Sequence, residues 1–263
     1  MRLVFLNLAL LAAVATADTG ESGFNGQVAM QHSQAAIGRQ LGSHQLTRAS
    51  GEPFNLQQLR GKPVLVSLIF TSCYHTCPLI TKELANAVDA ASQVLGPDSF
   101  NVVSIGFDTS VDTPGMMADF KTRQGVSADN WYFLSADAGV INTITEETGF
   151  IFFASPRGFD HLSQTTLIDE QGQVFDQIYG IPFPNMVVEP LKSLLLEHRR
   201  PPANLAEVLQ TIRLFCTIYD PTTGRYQLDY SLIVGFVVGI LCLGAVATFI
   251  VRAWKQSSPP KLG

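Results

Sequence analysis

Apolar runs and amphipathic stretches alternate through the middle of the chain. Residues 64–70 and 101–107 are apolar runs rich in β-branched side chains, which predicts two buried strands. Between them, apolar residues recur at helical spacing across 79–91, and a proline suits the first position of a helix, so this helix is predicted to begin at Pro78. A glycine–proline pair at 96–97 ends it. The pattern therefore predicts a strand–helix–strand unit.

The alternation of strands and helices continues to residue 199. It predicts a helix at 113–123, a strand at 131–134 and a second helix at 138–148. A β-hairpin of strands 164–168 and 174–179 follows, and then a last helix at 188–199. Strands that alternate with helices before a closing antiparallel hairpin describe an α/β fold, a thioredoxin-like sandwich. We place this domain at residues 43–200.

The N-terminal residues resemble an export signal. Residues 1–17 carry one early positive charge, an apolar run and the small residues Ala15-Thr16-Ala17, which predicts a signal peptide cleaved after Ala17. The alternative, a membrane anchor, is disfavoured because the run is shorter than the ~20 residues that a bilayer requires. Residues 18–42 are polar and without clear period, so they are predicted to form a flexible leader.

A long apolar segment lies near the other end. Residues 231–251 contain no charged side chain and are long enough to cross a bilayer, which predicts a single C-terminal transmembrane helix. The segment 201–230 is predicted to be a connecting arm with a short amphipathic helix. Basic residues in 252–263 favour a cytoplasmic tail. Together with the export signal, this predicts a protein of the bacterial inner membrane whose domain lies in the periplasm.

Composition excludes some functions and points to chemistry at the cysteines. The net charge of −5 and the lack of a basic run in the exported part argue against nucleic acid as a partner. Four cysteines are too few for a fold stapled by disulfides. Two of them lie close together in Thr71-Ser72-Cys73-Tyr74-His75-Thr76-Cys77-Pro78, between the first buried strand and its helix. We therefore expect the chemistry of the protein at this loop.

The cysteine pair supports either redox or metal chemistry. A thiol at a helix N-terminus has a lowered pKa, so Cys73 and Cys77 are both candidate thiolates. On a helix face, residues four apart have Cβ atoms ~5–6 Å apart, which is too far for a relaxed disulfide. The pair is thus expected to form a labile disulfide or to bind a soft metal ion, and not to form a disulfide that stabilises the fold. Two thiolates suit Cu(I), with zinc as competitor and an imidazole as third ligand.

Two histidines are candidates for that third ligand. His75 lies between the cysteines, but residues two apart do not share a helix face, so its ring is expected to point away from the pair. His161 precedes the hairpin strand 164–168, whose start is expected at the sheet edge where the first helix begins. A lone loop histidine is ordinarily a solvated side chain, so the residues alone leave the third ligand open.

The order of motifs resembles the Sco (SenC) family. The pattern is Thr71-Ser72-Cys73-x-x-x-Cys77-Pro78, then Asp108 with Asp112-Thr113-Pro114, then Trp131-x-Phe133-Leu134, then Asp160-His161-x-Ser163 before Leu167-Ile168-Asp169. The resemblance covers about 46–199. It implies that Cys73, Cys77 and His161 bind copper, as Cu(I) or Cu(II). It also implies a partner, the copper-centre subunit of a cytochrome c oxidase or another periplasmic copper protein.

The sequence departs from the family pattern in three places. Tyr74-His75-Thr76 stands where the family often has Pro-Asp-Val, and 108–112 lacks the usual proline and arginine. The anchor is C-terminal, whereas members more often carry it at the N-terminus. Asp112, before Thr113-Pro114, is predicted to be a helix cap. Neither Cys216, in the arm, nor Cys242, in the membrane helix, is assigned to copper.

Two main functions remain open. The first is a membrane-anchored copper-binding protein that assists assembly of the oxidase copper centre. The second is a thiol–disulfide oxidoreductase in which Cys73 and Cys77 form the redox pair and reduce the cysteines of that centre. A sensor of copper or redox state is a further alternative. Whether the protein is an enzyme is therefore left open.

Overall fold

Strands and helices alternate through the part of the chain that the computed structural model describes, residues 24–197, 208, 216–220, 223 and 225–256. The strands are β1 (Gln45–Arg48), β2 (Pro53–Asn55), β3 (Val64–Ile69), β4 (Asn101–Gly106), β5 (Trp131–Ser135), β6 (Phe152–Ser155), β7 (Gly158–His161), β8 (Gln164–Ile168), β9 (Val174–Tyr179), β10 (Thr217–Asp220) and β11 (Arg225–Leu228). The helices are α1 (Gly26–Gln34), α2 (Thr76–Leu95), α3 (Pro114–Gln124), α4 (Ala138–Thr148), α5 (Pro184–Glu197) and α6 (Ser231–Gln256).

One mixed sheet organises the domain, with the strand order β2-β1-β5-β4-β3-β8-β9. The strands β3, β4 and β5 are parallel, since α2 and α3 each return the chain to the same edge of the sheet. Strand β8 pairs antiparallel with β3, and β9 pairs antiparallel with β8. This topology confirms the predicted thioredoxin-like α/β sandwich. It also brings the carboxyl end of β3 and the start of β8 to the same edge.

The two apolar runs form the centre of this sheet. Every residue of β3 and of β4 is buried, as expected of parallel strands that are covered on both faces. Helix α2 packs Leu84, Val88 and Leu95 into the same core. It begins at Thr76, two residues before the predicted start. Pro78 therefore lies within the first turn, where a backbone N–H has no partner inside the helix.

The predicted flexible leader is wrong for residues 24–42. Asn25 caps α1 by accepting hydrogen bonds from the N–H groups of Gln27 and Val28, and Ala29 on this helix is buried. Beyond the helix, the N–H of Leu41 donates to the carbonyl of Gly172, which attaches the segment to the sheet. Only Ala29 and Ser33 of α1 are buried, so no apolar stripe reveals the helix in the sequence.

A two-stranded hairpin that the sequence did not indicate carries the distal histidine. Strands β6 and β7 pair from Phe152 with His161 to Ser155 with Gly158, apart from the main sheet. Each strand has four residues, and neither shows the β-branched alternation that predicts strands. The hairpin places His161 at the end of β7, directly before β8.

The described part of the arm contacts the domain. Hairpin β10–β11 lies against α5, where the Lys192 ammonium donates to the carbonyl of Thr217 at 3.0 Å and the Tyr226 hydroxyl donates to Glu189 at 3.2 Å. Burial and the neighbouring Glu189 carboxylate raise the pKa of Tyr226. Of the predicted amphipathic arm helix, all but Val208 lies outside the described residues, as do the predicted signal peptide and the chain end after residue 256.

Helix α6 follows the arm. Among the described residues it is the one helix long and apolar enough to cross a membrane, over Val234–Lys255. It contains the predicted apolar segment 231–251, and its large side chains, such as Phe236 and Leu243, are exposed. An apolar surface of this extent is what a lipid environment covers.

Candidate metal centre

The two cysteines lie where β3 passes into α2. Cys77 is the second residue of α2 and is buried, whereas Cys73 precedes the helix and is half-buried. A turn holds Cys73 in place, with its N–H donating to the carbonyl of Phe70 at 3.2 Å. The expectation that both cysteines share a helix face is therefore wrong, because only Cys77 is helical. The separation of their sulfurs is set by the loop and not by helical spacing.

The two thiols have opposite protonation preferences. The N–H of Cys77 donates to the Sγ of Cys73 at 3.3 Å. A hydrogen bond from the Cys77 thiol, together with backbone N–H groups of Cys77, His75 and Thr76, lowers the pKa of Cys73 to about 5, although burial opposes this. The same hydrogen bond to Cys73, reinforced by burial, raises the pKa of Cys77. At neutral pH, Cys73 is thus a thiolate and Cys77 a thiol.

The open N-terminus of α2 adds to the effect of the Cys77 thiol and helps to keep the negative charge on Cys73. His75 is the N-cap residue, and its side chain accepts no hydrogen bond from the first turn. The N–H groups of that turn therefore remain available to an anion, and the Cys73 sulfur is the group that receives them. The sequence predicted a lowered thiol pKa at the N-terminus of this helix, and in the structure the lowered pKa belongs to Cys73.

A backbone contact fixes the tautomer of His161. Its Nδ1 lies 3.0 Å from the carbonyl oxygen of Leu162. Because a carbonyl oxygen can only accept, Nδ1 carries the proton and Nε2 keeps its lone pair. A neutral imidazole with a free Nε2 is a suitable ligand for a transition metal.

Phenylalanine rings surround the His161 imidazole. The ring centroids of Phe70, Phe107 and Phe150 lie 5.9, 5.6 and 5.3 Å from its own. Phe159 and Phe152 extend the cluster, with centroids 5.5 Å apart. This cluster was not predicted from the sequence. Its signal was the alternation of aromatic rings at 150 and 152 and at 159 and 161, which is the two-residue period of a strand.

A buried carboxylate joins the cysteine loop to the end of β4. Asp112 accepts hydrogen bonds from the N–H of Thr71 at 2.8 Å, the hydroxyl of Thr71 at 2.6 Å and the N–H of Asp108 at 2.9 Å. The prediction that Asp112 caps a helix is wrong. Thr113 is the N-cap of α3, accepting from the N–H of Met116, and this leaves the Asp112 side chain free to turn inward.

A glycine makes room for this carboxylate. A Cβ added at Gly106 would lie 2.4 Å from the Cβ of Asp112, which is closer than carbon atoms approach. Burial raises the pKa of Asp112, and the hydrogen bonds from Thr71 and Asp108 oppose that rise. Gly106, the last residue of β4, and Thr71 of the cysteine loop therefore both lie against the Asp112 side chain.

Cys73 and His161 line the same cavity. Its volume is about 880 Å³, and Tyr74 and His75 also border it, whereas Cys77 lies behind Cys73 and does not. Among the described residues, no three His, Cys, Asp or Glu side chains stand close enough together to hold a metal ion. The structure thus brings the two cysteines together and places His161 on the wall formed by β7. The three-residue copper site stays a prediction.

The remaining candidates lie elsewhere. Asp108 borders a smaller cavity beside Phe107, and its carboxylate accepts from the Ser110 hydroxyl at 2.7 Å. Cys216 is buried directly before β10, and Cys242 is exposed on α6. Neither cysteine borders the cavity shared by Cys73 and His161.

Comparison with known proteins identifies the family. The model of the family described as SCO1/SenC matches residues 32–196. The chain belongs to the SCO1/SenC family. A SCO2-like protein of Rickettsia felis is 27% identical over 184 residues, which cover 66% of this chain and 84% of the relative. The resemblance drawn from the sequence motifs is confirmed.

Solved structures of Sco proteins share the fold. ScoI of Bradyrhizobium japonicum, solved with copper bound, has a TM-score of 0.51 and 24% identity, covering 59% of this chain and 98% of ScoI. BsSco, a member of the Sco family of cytochrome c oxidase assembly proteins with an identified disulfide switch, has a TM-score of 0.52 and 21% identity, covering 60% of this chain and 94% of BsSco. At these identities the likeness establishes the fold of the Sco domain.

The low pKa of Cys73 predicts selective alkylation. In the detergent-solubilised chain, iodoacetamide should modify Cys73 at pH 6 while Cys77 stays unmodified, because only a thiolate attacks. The rate at Cys73 should fall as the pH drops through about 5. Mass spectrometry of the modified peptides measures both. Cys77→Ala lacks the donating thiol, so the pH at which the alkylation rate of Cys73 falls should move up toward the ordinary pKa of a thiol. If that pH does not move, the hydrogen bond from Cys77 is not the cause of the low pKa of Cys73.

The Asp112 carboxylate predicts a specific loss of stability. Asp112→Asn replaces an acceptor of three hydrogen bonds by a group with one acceptor oxygen, so the free energy of unfolding should fall by about 1–3 kcal/mol. Urea unfolding followed by the fluorescence of buried Trp131 measures this. The control is Asp108→Asn, whose half-buried side chain accepts only from Ser110 among the described residues, and about 0.5 kcal/mol or less is expected. Equal losses in both variants would contradict the role of Asp112.

Proposed function

We propose that this Sco protein binds a copper ion with Cys73, Cys77 and His161 and passes it to the copper-centre subunit of a cytochrome c oxidase. One observation carries the proposal: the Cys73 thiolate, backed by the Cys77 thiol, shares a cavity with a histidine whose Nε2 is free to bind. The relatives give further support, since ScoI of Bradyrhizobium japonicum was solved with copper bound and BsSco belongs to a family of cytochrome c oxidase assembly proteins.

The donor groups fit the proposed cargo. Two sulfur ligands and one neutral imidazole suit Cu(I), the softer of the two copper ions, and zinc is the competitor. The Cys77 thiol gives up its proton when it becomes a ligand, so binding is coupled to proton release. The aromatic cluster around His161 excludes water from one side of the imidazole. A site with few ligands that borders an open cavity suits a metal ion that the protein transfers to a partner.

The proposed location follows from the two ends of the chain. Export by residues 1–17 and anchoring by 231–251 put the domain on the periplasmic side of a bacterial inner membrane, with 252–263 in the cytoplasm. The exposed apolar surface of α6 supports the anchor. A domain held beside the membrane meets a membrane-bound oxidase at a high effective concentration.

Copper binding by the purified chain tests this function. The detergent-solubilised protein should bind about one copper per chain, and His161→Ala should weaken binding at least about tenfold because one of three ligands is lost. Competition with a calibrated copper chelator measures the affinity. The matched control is His32→Ala, which removes an imidazole from α1 outside the cavity and should leave the affinity unchanged. Equal affinity in His161→Ala and wild type would contradict the ligand set.

A second function is favoured by the asymmetry of the thiols. A half-exposed thiolate beside a buried thiol is the arrangement of a disulfide reductase. Cys73 would attack a partner disulfide and release one partner thiolate. Cys77 would then attack the mixed disulfide, which leaves a Cys73–Cys77 disulfide and a fully reduced partner. The two electrons gained by the partner are those lost by the pair.

Trapping in cells separates the two functions. In Cys77→Ala, the mixed disulfide formed by Cys73 has no resolving thiol and should accumulate with an oxidase subunit. Non-reducing electrophoresis and mass spectrometry of the purified protein detect it. Cys73→Ala is the control and should trap nothing, since Cys77 is buried. If Cys77→Ala traps no partner while added copper restores oxidase activity, the reductase function is excluded.

A further inference from the structure

The cavity at the cysteine loop runs along a strand edge. All four residues of β7, Gly158 to His161, border it, and no residue of β6 does. Successive side chains of a strand point to opposite faces, so a cavity that covered one face would touch alternate residues. Contact with every residue of β7 means that the cavity lies beside the strand, on the side away from β6.

The hairpin register shows which backbone groups face that side. Ser155 opposes Gly158 across a two-residue turn, and residues in this position exchange both backbone hydrogen bonds. The alternation then makes Phe153 and Asp160 the next pair that exchanges hydrogen bonds. The N–H and C=O groups of Phe159 and His161 consequently point away from β6, toward the cavity.

Among the described residues these outward groups have no hydrogen-bond partner, since β7 pairs with β6 alone. Within residues 24–197 and the other described positions, no hydrogen bond involves the backbone N–H or C=O of Phe159 or His161. Both residues are only half-buried, and both border the cavity. An unpaired strand edge of this kind is a template for another extended chain.

The two edges of the hairpin differ in their surroundings. On the β6 edge, the outward backbone groups belong to Phe152 and Ala154, and Ala154 is exposed to solvent, which supplies hydrogen bonds to that side. The β7 edge instead borders about 880 Å³ of space, far more than one metal ion occupies and within the range of sites for small organic ligands. The edge ends at His161, and Cys73 borders the same space.

We propose that the β7 edge binds an extended segment of the copper-accepting partner as a third strand of the hairpin. The backbone of that segment would pair with Phe159 and His161, about 4.8 Å from β7, and so lie in the cavity that Cys73 also borders. A Cys, Met or His of the segment would then lie next to the metal ligands. The inference rests on the proposed function only in naming this partner; the pairing itself is a property of the metal-free chain.

Amide exchange in the metal-free, detergent-solubilised chain tests the pairing. The probe is an acetylated and amidated six-residue peptide of alternating threonine and valine with one central methionine. With ¹⁵N-labelled phenylalanine and histidine, the amides of Phe159 and His161 should exchange about tenfold more slowly when the peptide is bound. The Phe152 amide on the β6 edge and the Phe153 amide, already paired with Asp160, serve as internal controls and should not change.

N-methylated peptides supply the matched control. Methyl groups on the alternate amides that face β7 should weaken binding about tenfold, whereas methyl groups on the other amides should leave it nearly unchanged. The inference is overturned if the peptide does not bind, if both methylated sets bind equally, or if Phe152 is protected as much as Phe159. Protection of the same amides without peptide, by pairing with a second copy of the chain, would also overturn it. Copper affinity is measured separately, so either proposal can fail alone.

Discussion

The buried Asp112 carboxylate is the interaction on which the rest of the site depends. A carboxylate without partners in an apolar interior is strongly unfavourable, so it keeps its position only while Thr71 and Asp108 donate to it. This requirement couples the end of β3 to the end of β4. Cys73 lies two residues after Thr71 in the cysteine loop, so these hydrogen bonds to Asp112 help to set the place at which Cys73 meets the N-terminus of α2. Gly106 is part of the same constraint, because any side chain there would displace the carboxylate.

Sequence patterning predicted the central sheet because β3 and β4 are buried along their whole length and need apolar residues at every position. It failed for β6 and β7, which are strands of four residues without any β-branched side chain, so that only the alternation of aromatic rings could have indicated them. The role of Asp112 was unpredictable for another reason. An Asp-Thr-Pro sequence allows either the aspartate or the threonine to cap α3, and only the approach of β3 to β4 decides between them.

The site itself was partly predictable. The two cysteines and the family resemblance could be found in the sequence, because their spacing and order are local features. The difference between the two thiols could not, since it depends on where α2 begins. A start at Thr76 places Cys77 inside the helix and leaves Cys73 before it, facing the free N–H groups. A start one turn earlier would place both cysteines inside the helix, and a start one turn later would leave both before it. The phenylalanine cluster around His161 likewise joins residues from the chain after β3, after β4 and after α4 with those of the hairpin.

The two walls of the cavity are held by different forces, and this decides which of them can move. The cysteine wall is tied to fully buried strands and to the Asp112 hydrogen bonds. The His161 wall is a hairpin apart from the main sheet, and isolated hairpins are marginally stable without packing on one face. Its contacts are mainly between aromatic rings, which tolerate small displacements better than hydrogen bonds do. Any approach of His161 to the cysteines is therefore made by the hairpin, while Cys73 stays at the helix N-terminus.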